Sequence, residues 1–126
     1  MLIRYADVVL MAAEAALMTN DNGKALSYVN MIRTRARMCG NSGQPEDFSG
    51  TLTFDQLVNE RRRELALEGR RFFDLVRWNL ATQYLSGTFT PGGVPIAFES
   101  PKDDFQPLPQ REISLSQGAL EQYPGW

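Results

Sequence analysis

The sequence contains no histidine and only one cysteine among its 126 residues. Without histidine, the chain lacks the commonest general base and the commonest metal ligand of proteins. The single cysteine, Cys39, excludes an internal disulfide. No uninterrupted apolar run approaches the length of a membrane-spanning helix. We therefore expect no metal site and no bound cofactor, and the composition gives no support for an enzyme.

Charge and length limit the partners and the architecture. The 13 basic and 15 acidic side chains give a net charge of −2, which offers no reason to expect nucleic acid or an anionic membrane as a partner. A chain of this length is expected to form one domain. Met1 leads directly into an amphipathic segment without the basic region of a secretory signal. We expect a fragment of a longer protein that begins inside a helix.

Two helices are predicted in the first third of the chain, because apolar residues recur there at helical spacing. The first runs from about Leu2 to Met18 and the second from about Lys24 to Met38, with Asp21 or Asn22 as the cap of the second. The residues predicted to face inward are Leu2, Ala6, Val9, Ala13, Leu17, Ala25, Val29, Ile32 and Ala36. The short connection and the many alanines predict a tetratricopeptide-like helical hairpin.

A third, longer helix is predicted after Thr53, which has capping-box spacing with Gln56. We expect this helix to continue past Arg70, although Gly69 could break it into two. Its predicted apolar face consists of Phe54, Val58, Leu65, Phe72 and Val76. The helical body then covers about residues 1–85.

The stretch from Glu60 to Trp78 combines this apolar face with many charges. Arg61 and Glu68 fall on the apolar face, and a buried charge must be paired or hydrogen-bonded. The predicted structural ion pairs join Arg61 to Glu64, Glu68 to Arg71, and Asp74 to Arg70 and Arg77. Glycoside hydrolysis also uses paired carboxylates. Because these carboxylates alternate with arginines, ion pairing is the favoured interpretation.

Other polar side chains allow both a structural and a binding interpretation. Arg33 and Arg35 are favoured as partners of carboxylates on neighbouring helices, since the sequence has no glycine-rich phosphate cradle. Asn30 is favoured as a partner of a loop backbone. Trp126 is expected to anchor the tail.

After residue 85 the sequence becomes rich in Gly and Pro, which predicts an irregular loop region and tail over about residues 86–126. The run Pro91–Gly93 marks a turn, which is compatible with a small hairpin. Several prolines predict that the tail from Phe105 to Trp126 is extended. Phe89 and Phe98 in this region, together with Tyr84, are candidate ligand-binding residues, because an aromatic ring suits the apolar face of a pyranose.

Four segments in order resemble the C-terminal part of the SusD/RagB family of outer-membrane nutrient-binding lipoproteins. They are Leu2–Ala15, Ala25–Ala36, Glu60–Trp78 and Phe105–Trp126. The resemblance implies one mainly α-helical, tetratricopeptide-like C-terminal domain over residues 1–126. It also implies a protein on the surface of Bacteroidetes-type bacteria that binds glycans without cleaving them.

The same resemblance implies a SusC-like TonB-dependent transporter as partner, over which such a protein closes as a lid. Attachment to the outer membrane would use a lipid anchor whose signal and acylated cysteine are absent from this sequence. The alternative interpretation is a tetratricopeptide-like interaction module whose groove binds a peptide or a partner helix.

Overall fold

The computed structural model describes residues 3–40 and 43–126, and these residues are mainly α-helical, as predicted. They divide into two compact units, Met1–Arg71 and Phe72–Trp126. The elements are α1 Tyr5–Met18, α2 Asn22–Cys39, α3 Phe54–Glu64, α4 Arg71–Arg77, α5 Ala81–Leu85, a 3-10 turn Lys102–Asp104 and α6 Gln110–Leu115. No helix in the described ranges is long and apolar enough to cross a membrane. The single domain over residues 1–126 stays a prediction.

Helices α1 and α2 form the expected hairpin. Asp21 caps α2, since its Oδ1 accepts a hydrogen bond from the Lys24 backbone N–H at 3.2 Å. The buried side chains of this unit's core are Ala6, Val9, Leu10, Ala13, Ala16, Ala25, Val29, Ile32, Leu52, Leu57 and Leu65. Leu10, which the predicted face omitted, is completely buried. Leu17 and Ala36 are only half-buried, and Leu2 lies outside the described residues.

Helix α3 begins with the predicted capping box, in which the Gln56 backbone donates to Thr53 Oγ1 and the Thr53 backbone donates to Gln56 Oε1. The expectation that this helix continues past Arg70 is wrong, because α3 ends at Glu64. Leu67 and Gly69 have positive φ angles of 64° and 71°, which an α-helix cannot accommodate. Gly69 adopts such an angle without steric penalty, and the potential break at this residue is confirmed.

The second unit has its own small core, formed by Leu75, Ala81 and Phe98. Partly buried side chains surround it, namely Phe72, Val76, Leu80, Tyr84 and Leu85. The turn at Pro91–Gly93 closes a short hairpin, in which the Thr90 N–H donates to the Val94 carbonyl at 2.9 Å. An isolated antiparallel bridge pairs Phe89 with Pro95. The hairpin therefore holds Phe89 in a defined backbone geometry.

The tail is not extended throughout, which corrects the prediction. Helix α6 occupies Gln110–Leu115, directly after Pro109. Proline fixes its own φ near the helical value, and the Pro109 carbonyl accepts the Glu112 N–H at 2.9 Å, so this proline starts a helix instead of preventing one. Trp126 anchors the chain end as expected, since its Nε1 donates to the Lys102 carbonyl at 2.7 Å.

Candidate functional site

A buried ion pair joins α1 to α3. Arg61 Nη2 lies 2.9 Å from Asp7 Oδ1, and the two side chains are 4% and 5% exposed. Arg70 approaches the other carboxylate oxygen of Asp7 at 3.4 Å. Arg61 thus reaches a partner 54 residues away in sequence. Because two charges buried this deeply must compensate each other, the pair fixes the position of α1 against α3.

Glu64 is the second contact between helices. Its carboxylate accepts hydrogen bonds from Arg4 Nη1 at 2.9 Å and from Arg35 Nη2 at 2.7 Å. Arg4 also donates to Glu68 from Nε at 2.8 Å. The hydrogen bond to Glu68, followed by that to Glu64, raises the pKa of Arg4 above its ordinary value. The guanidinium thus links the chain before α1 to the end of α3.

A third contact lies between α2 and α3. Arg33 Nη1 lies 2.6 Å from Glu60 Oε2, with both side chains buried, and its Nε donates to the Glu46 carbonyl at 2.5 Å. The Arg33 guanidinium also stacks 4.0 Å from the centre of the Phe48 ring. Asn30 exchanges hydrogen bonds with the Phe48 backbone at 2.9 and 2.8 Å. The predicted structural roles of Arg33 and Asn30 are confirmed, and Arg35 likewise pairs across helices.

The ion pairs near α4 reflect the break between α3 and α4. Arg77 Nη2 lies 2.9 Å from Asp74 Oδ1, three residues apart, as the spacing allows. Arg71 donates to the Val58 carbonyl at 3.4 Å, and Arg70 turns towards Asp7. Helical spacing across residues 65–70 does not apply, because the chain there is not helical. Of the predicted pairs, Asp74 with Arg77 is observed inside α4, whereas Arg61 and Arg70 contact Asp7 of α1.

The three candidate aromatic residues do not form one exposed surface. Phe89 is 68% exposed on the hairpin. Phe98 is only 8% exposed, and its ring packs 6.3 Å from that of Phe72 in an edge-to-face arrangement. Tyr84 is half-buried in the same cluster as Phe98. Phe98 is thus a member of the second unit's core, and its role in ligand binding stays a prediction.

A concave space between α2 and α3, which we name the α2–α3 cleft, was not predicted from the sequence. Its volume is about 380 Å³. The lining residues are Arg33, Ala36, Gln44, Pro45, Glu60, Arg63 and Glu64. Arg63 could have been noticed in the sequence only as a residue on the polar side of α3. That pattern is typical of any solvated helix face and carries no binding signal by itself.

Comparison with known proteins identifies the family. The model of the SusD family matches residues 1–126, the whole sequence. The chain belongs to the SusD family. SusD-like protein P2 of Formosa agariphila is 35% identical over 98% of this chain and 25% of its own length. The starch-binding protein SusD of Bacteroides thetaiotaomicron is 38% identical over 64% of this chain and 13% of its own length.

Solved structures give the same assignment to the SusD family. A SusD-like protein from Bacteroides fragilis matches with a TM-score of 0.78 and 30% identity, over 98% of this chain and 25% of that one. Surface glycan-binding protein A of Bacteroides thetaiotaomicron, in complex with laminarihexaose, matches with a TM-score of 0.75 and 30% identity, over 94% of this chain and 23% of that one. The chain thus spans about a quarter or less of the length of these relatives.

Proposed function

We propose that this SusD-family chain is part of a non-catalytic glycan-binding protein of an outer-membrane nutrient-uptake system. The observation that carries the proposal is the match of the entire chain to the family, together with a solved relative that holds laminarihexaose. The proposal includes a position at the bacterial cell surface and docking to a SusC-like TonB-dependent transporter, as the family resemblance implies.

The ion pairs support a binding role over a catalytic one. Glu60 and Glu64 are engaged by guanidinium groups at 2.6–2.9 Å. Glu60 is held by Arg33, and Glu64 by Arg4 and Arg35, so both carboxylates make contacts to other parts of the helical unit. These contacts give both side chains a structural role, which favours binding over catalysis as the function of this chain.

Phe89 is the candidate contact for a neutral sugar. Its ring is 68% exposed and projects from a hairpin whose backbone is fixed by the Thr90–Val94 and Thr88–Ile96 hydrogen bonds. A large exposed apolar side chain on an ordered turn is available for stacking without much loss of conformational entropy. Tyr84 and Phe98, in the cluster beneath, would support the hairpin instead of touching the ligand.

Calorimetric titration of the chain with laminarihexaose and with a maltohexaose of equal length tests this proposal. Replacing Phe89 by Ala should weaken binding by about tenfold, the value of one buried aromatic contact. Phe73→Ala is the matched control, because Phe73 is 62% exposed and belongs to α4 instead of the hairpin. A heat of titration that does not depend on the sugar would remove Phe89 from the site. Equal affinities of the Phe89→Ala and Phe73→Ala variants would do the same.

One recovery experiment tests both the docking to a transporter and the alternative of a protein-interaction module. The chain should be recovered with a TonB-dependent transporter encoded beside it when membranes are gently solubilised. Capture of a peptide or helical protein with no effect of added glycan would instead favour the interaction module. No interaction with the transporter would leave glycan binding as the whole of the function.

A further inference from the structure

Arg63 is the charged residue of the α2–α3 cleft that has no counter-ion among residues 3–40 and 43–126. In the described part of the chain, its guanidinium makes no ion pair, although it lines the concave space. The two carboxylates of the cleft are already engaged, Glu60 by Arg33 and Glu64 by Arg4 and Arg35. The uncompensated charge that faces a ligand in the cleft is therefore positive.

The cleft also has the construction of a binding site. Its volume of about 380 Å³ falls within the range of small-molecule pockets, about 300–1,000 Å³. Arg33 and Glu60 form its floor, and their buried side chains are fixed by a 2.6 Å contact. Ala36 and Pro45 add apolar surface. Fixed polar groups on the floor, apolar surface and the exposed cation of Arg63 suit a small ligand with hydroxyls and one negative charge.

From this arrangement we infer that the α2–α3 cleft binds a carboxylate-bearing sugar, a uronic acid, with Arg63 as the partner of the carboxylate. Arginine binds a carboxylate through two parallel N–H donors, and a neutral hexose has no carboxylate to accept them. The inference rests on the proposed glycan-binding function and narrows the class of glycan at this second surface. It is independent of Phe89, which lies on the hairpin of the other compact unit.

Nuclear magnetic resonance titration of the full chain tests the assignment. D-galacturonate and D-glucuronate are compared with D-galactose and D-glucose, which differ from them only at C6. Either or both uronates should shift the backbone amides of Arg63 and Ala36, and Arg63→Ala should weaken this binding by about tenfold or more, the value of a charge-assisted hydrogen bond. Arg62→Ala is the matched control, because Arg62 is an exposed neighbour on α3 outside the cleft lining.

The remaining outcomes separate this inference from the proposed function. Acetate that binds as tightly as the uronates would show a simple anion site and overturn the inference. Equal effects of Arg62→Ala and Arg63→Ala would overturn it as well, since only general electrostatics would remain. If the unaltered chain binds laminarihexaose through Phe89 but neither uronate, only the inference about the cleft is refuted. A chain that binds neither class of sugar would refute both proposals.

Discussion

Arg61 of α3 and Asp7 of α1 form the most deeply buried ion pair among the described residues, with 2.9 Å between Nη2 and Oδ1. The two residues are 54 positions apart in the sequence, and their charged groups lie between α1 and α3. Removing one partner would leave the other charged group in an environment that water barely reaches. The pair is therefore a point at which a single substitution should affect the whole helical unit.

Arg61→Ala should lower the free energy of unfolding by about 3–5 kcal/mol, the usual cost of leaving a buried charge uncompensated. Arg70, 3.4 Å from Asp7, should keep the loss at the lower end of this range. Urea denaturation measures the change, and Arg62→Ala, at an exposed position on the same helix, should stay within about 0.5 kcal/mol of the parent. Equal unfolding midpoints for both variants would show that the pair adds nothing to stability.

Local patterns predicted much of the helical unit, and long-range contacts account for what they missed. The hairpin of α1 and α2, the Asp21 cap and the Thr53 capping box depend on residues a few positions apart, so the sequence reveals them. The partners of Arg61 and Glu64 lie on other helices, which spacing along one helix cannot reveal. The break after Glu64 was foreseen only through Gly69.

The candidate binding surfaces were harder to predict for a related reason. Phe89 and Phe98 both lie in a loop-rich segment and look equivalent in the sequence. Only the packing of Phe98 against Phe72 separates them, and that contact joins residues far apart in the chain. The α2–α3 cleft depends on how two helices and the loop at Pro45 come together, so no sequence pattern marks it.

Even a conservative replacement of Arg33 should destabilise the protein. Arg33→Lys retains the charge opposite Glu60 but cannot also donate to the Glu46 carbonyl with the planar geometry of a guanidinium. We expect Lys to lower the unfolding free energy by about 1–2 kcal/mol, and Ala to lower it by about 3–5 kcal/mol because Glu60 is then left buried without a partner. Thermal denaturation of the two variants measures this order. A Lys variant as stable as the parent would mean that charge alone matters.

Asp21 gives a pH-dependent contribution with a definite sign. The Lys24 side chain, and then its backbone N–H, lower the Asp21 pKa below its ordinary value of 3.8. A lowered pKa in the folded state means stability that is present above this value and is lost as pH falls through the folded pKa. Asp21→Asn keeps a good cap but loses the ion pair, so its deficit in melting temperature should be measurable at about pH 6 and shrink at about pH 3. A deficit that is constant across this interval would contradict the assignment.

The capping box of α3 can be tested without any change of charge. Thr53→Ala removes the hydroxyl that accepts the Gln56 N–H at 3.2 Å and should cost about 1 kcal/mol of unfolding free energy. Thr53→Ser keeps the acceptor and should stay close to the parent in urea denaturation. If Ser costs as much as Ala, the methyl group of Thr53 contributes the stability and the hydrogen bond does not.

Substitution of Phe98 should affect stability, whereas substitution of Phe89 should affect glycan binding. Phe98→Ala removes a ring from the core around Leu75 and Ala81 and should cost about 3–5 kcal/mol in the second unit. Phe89→Ala removes an exposed ring and should change the unfolding free energy by no more than about 0.5 kcal/mol, while it weakens glycan binding. Hydrogen exchange of the amides in α5 reports the first effect and calorimetric titration the second. A Phe89→Ala variant that unfolds as readily as Phe98→Ala would show that the hairpin ring is part of the core, and its loss of binding would then reflect folding.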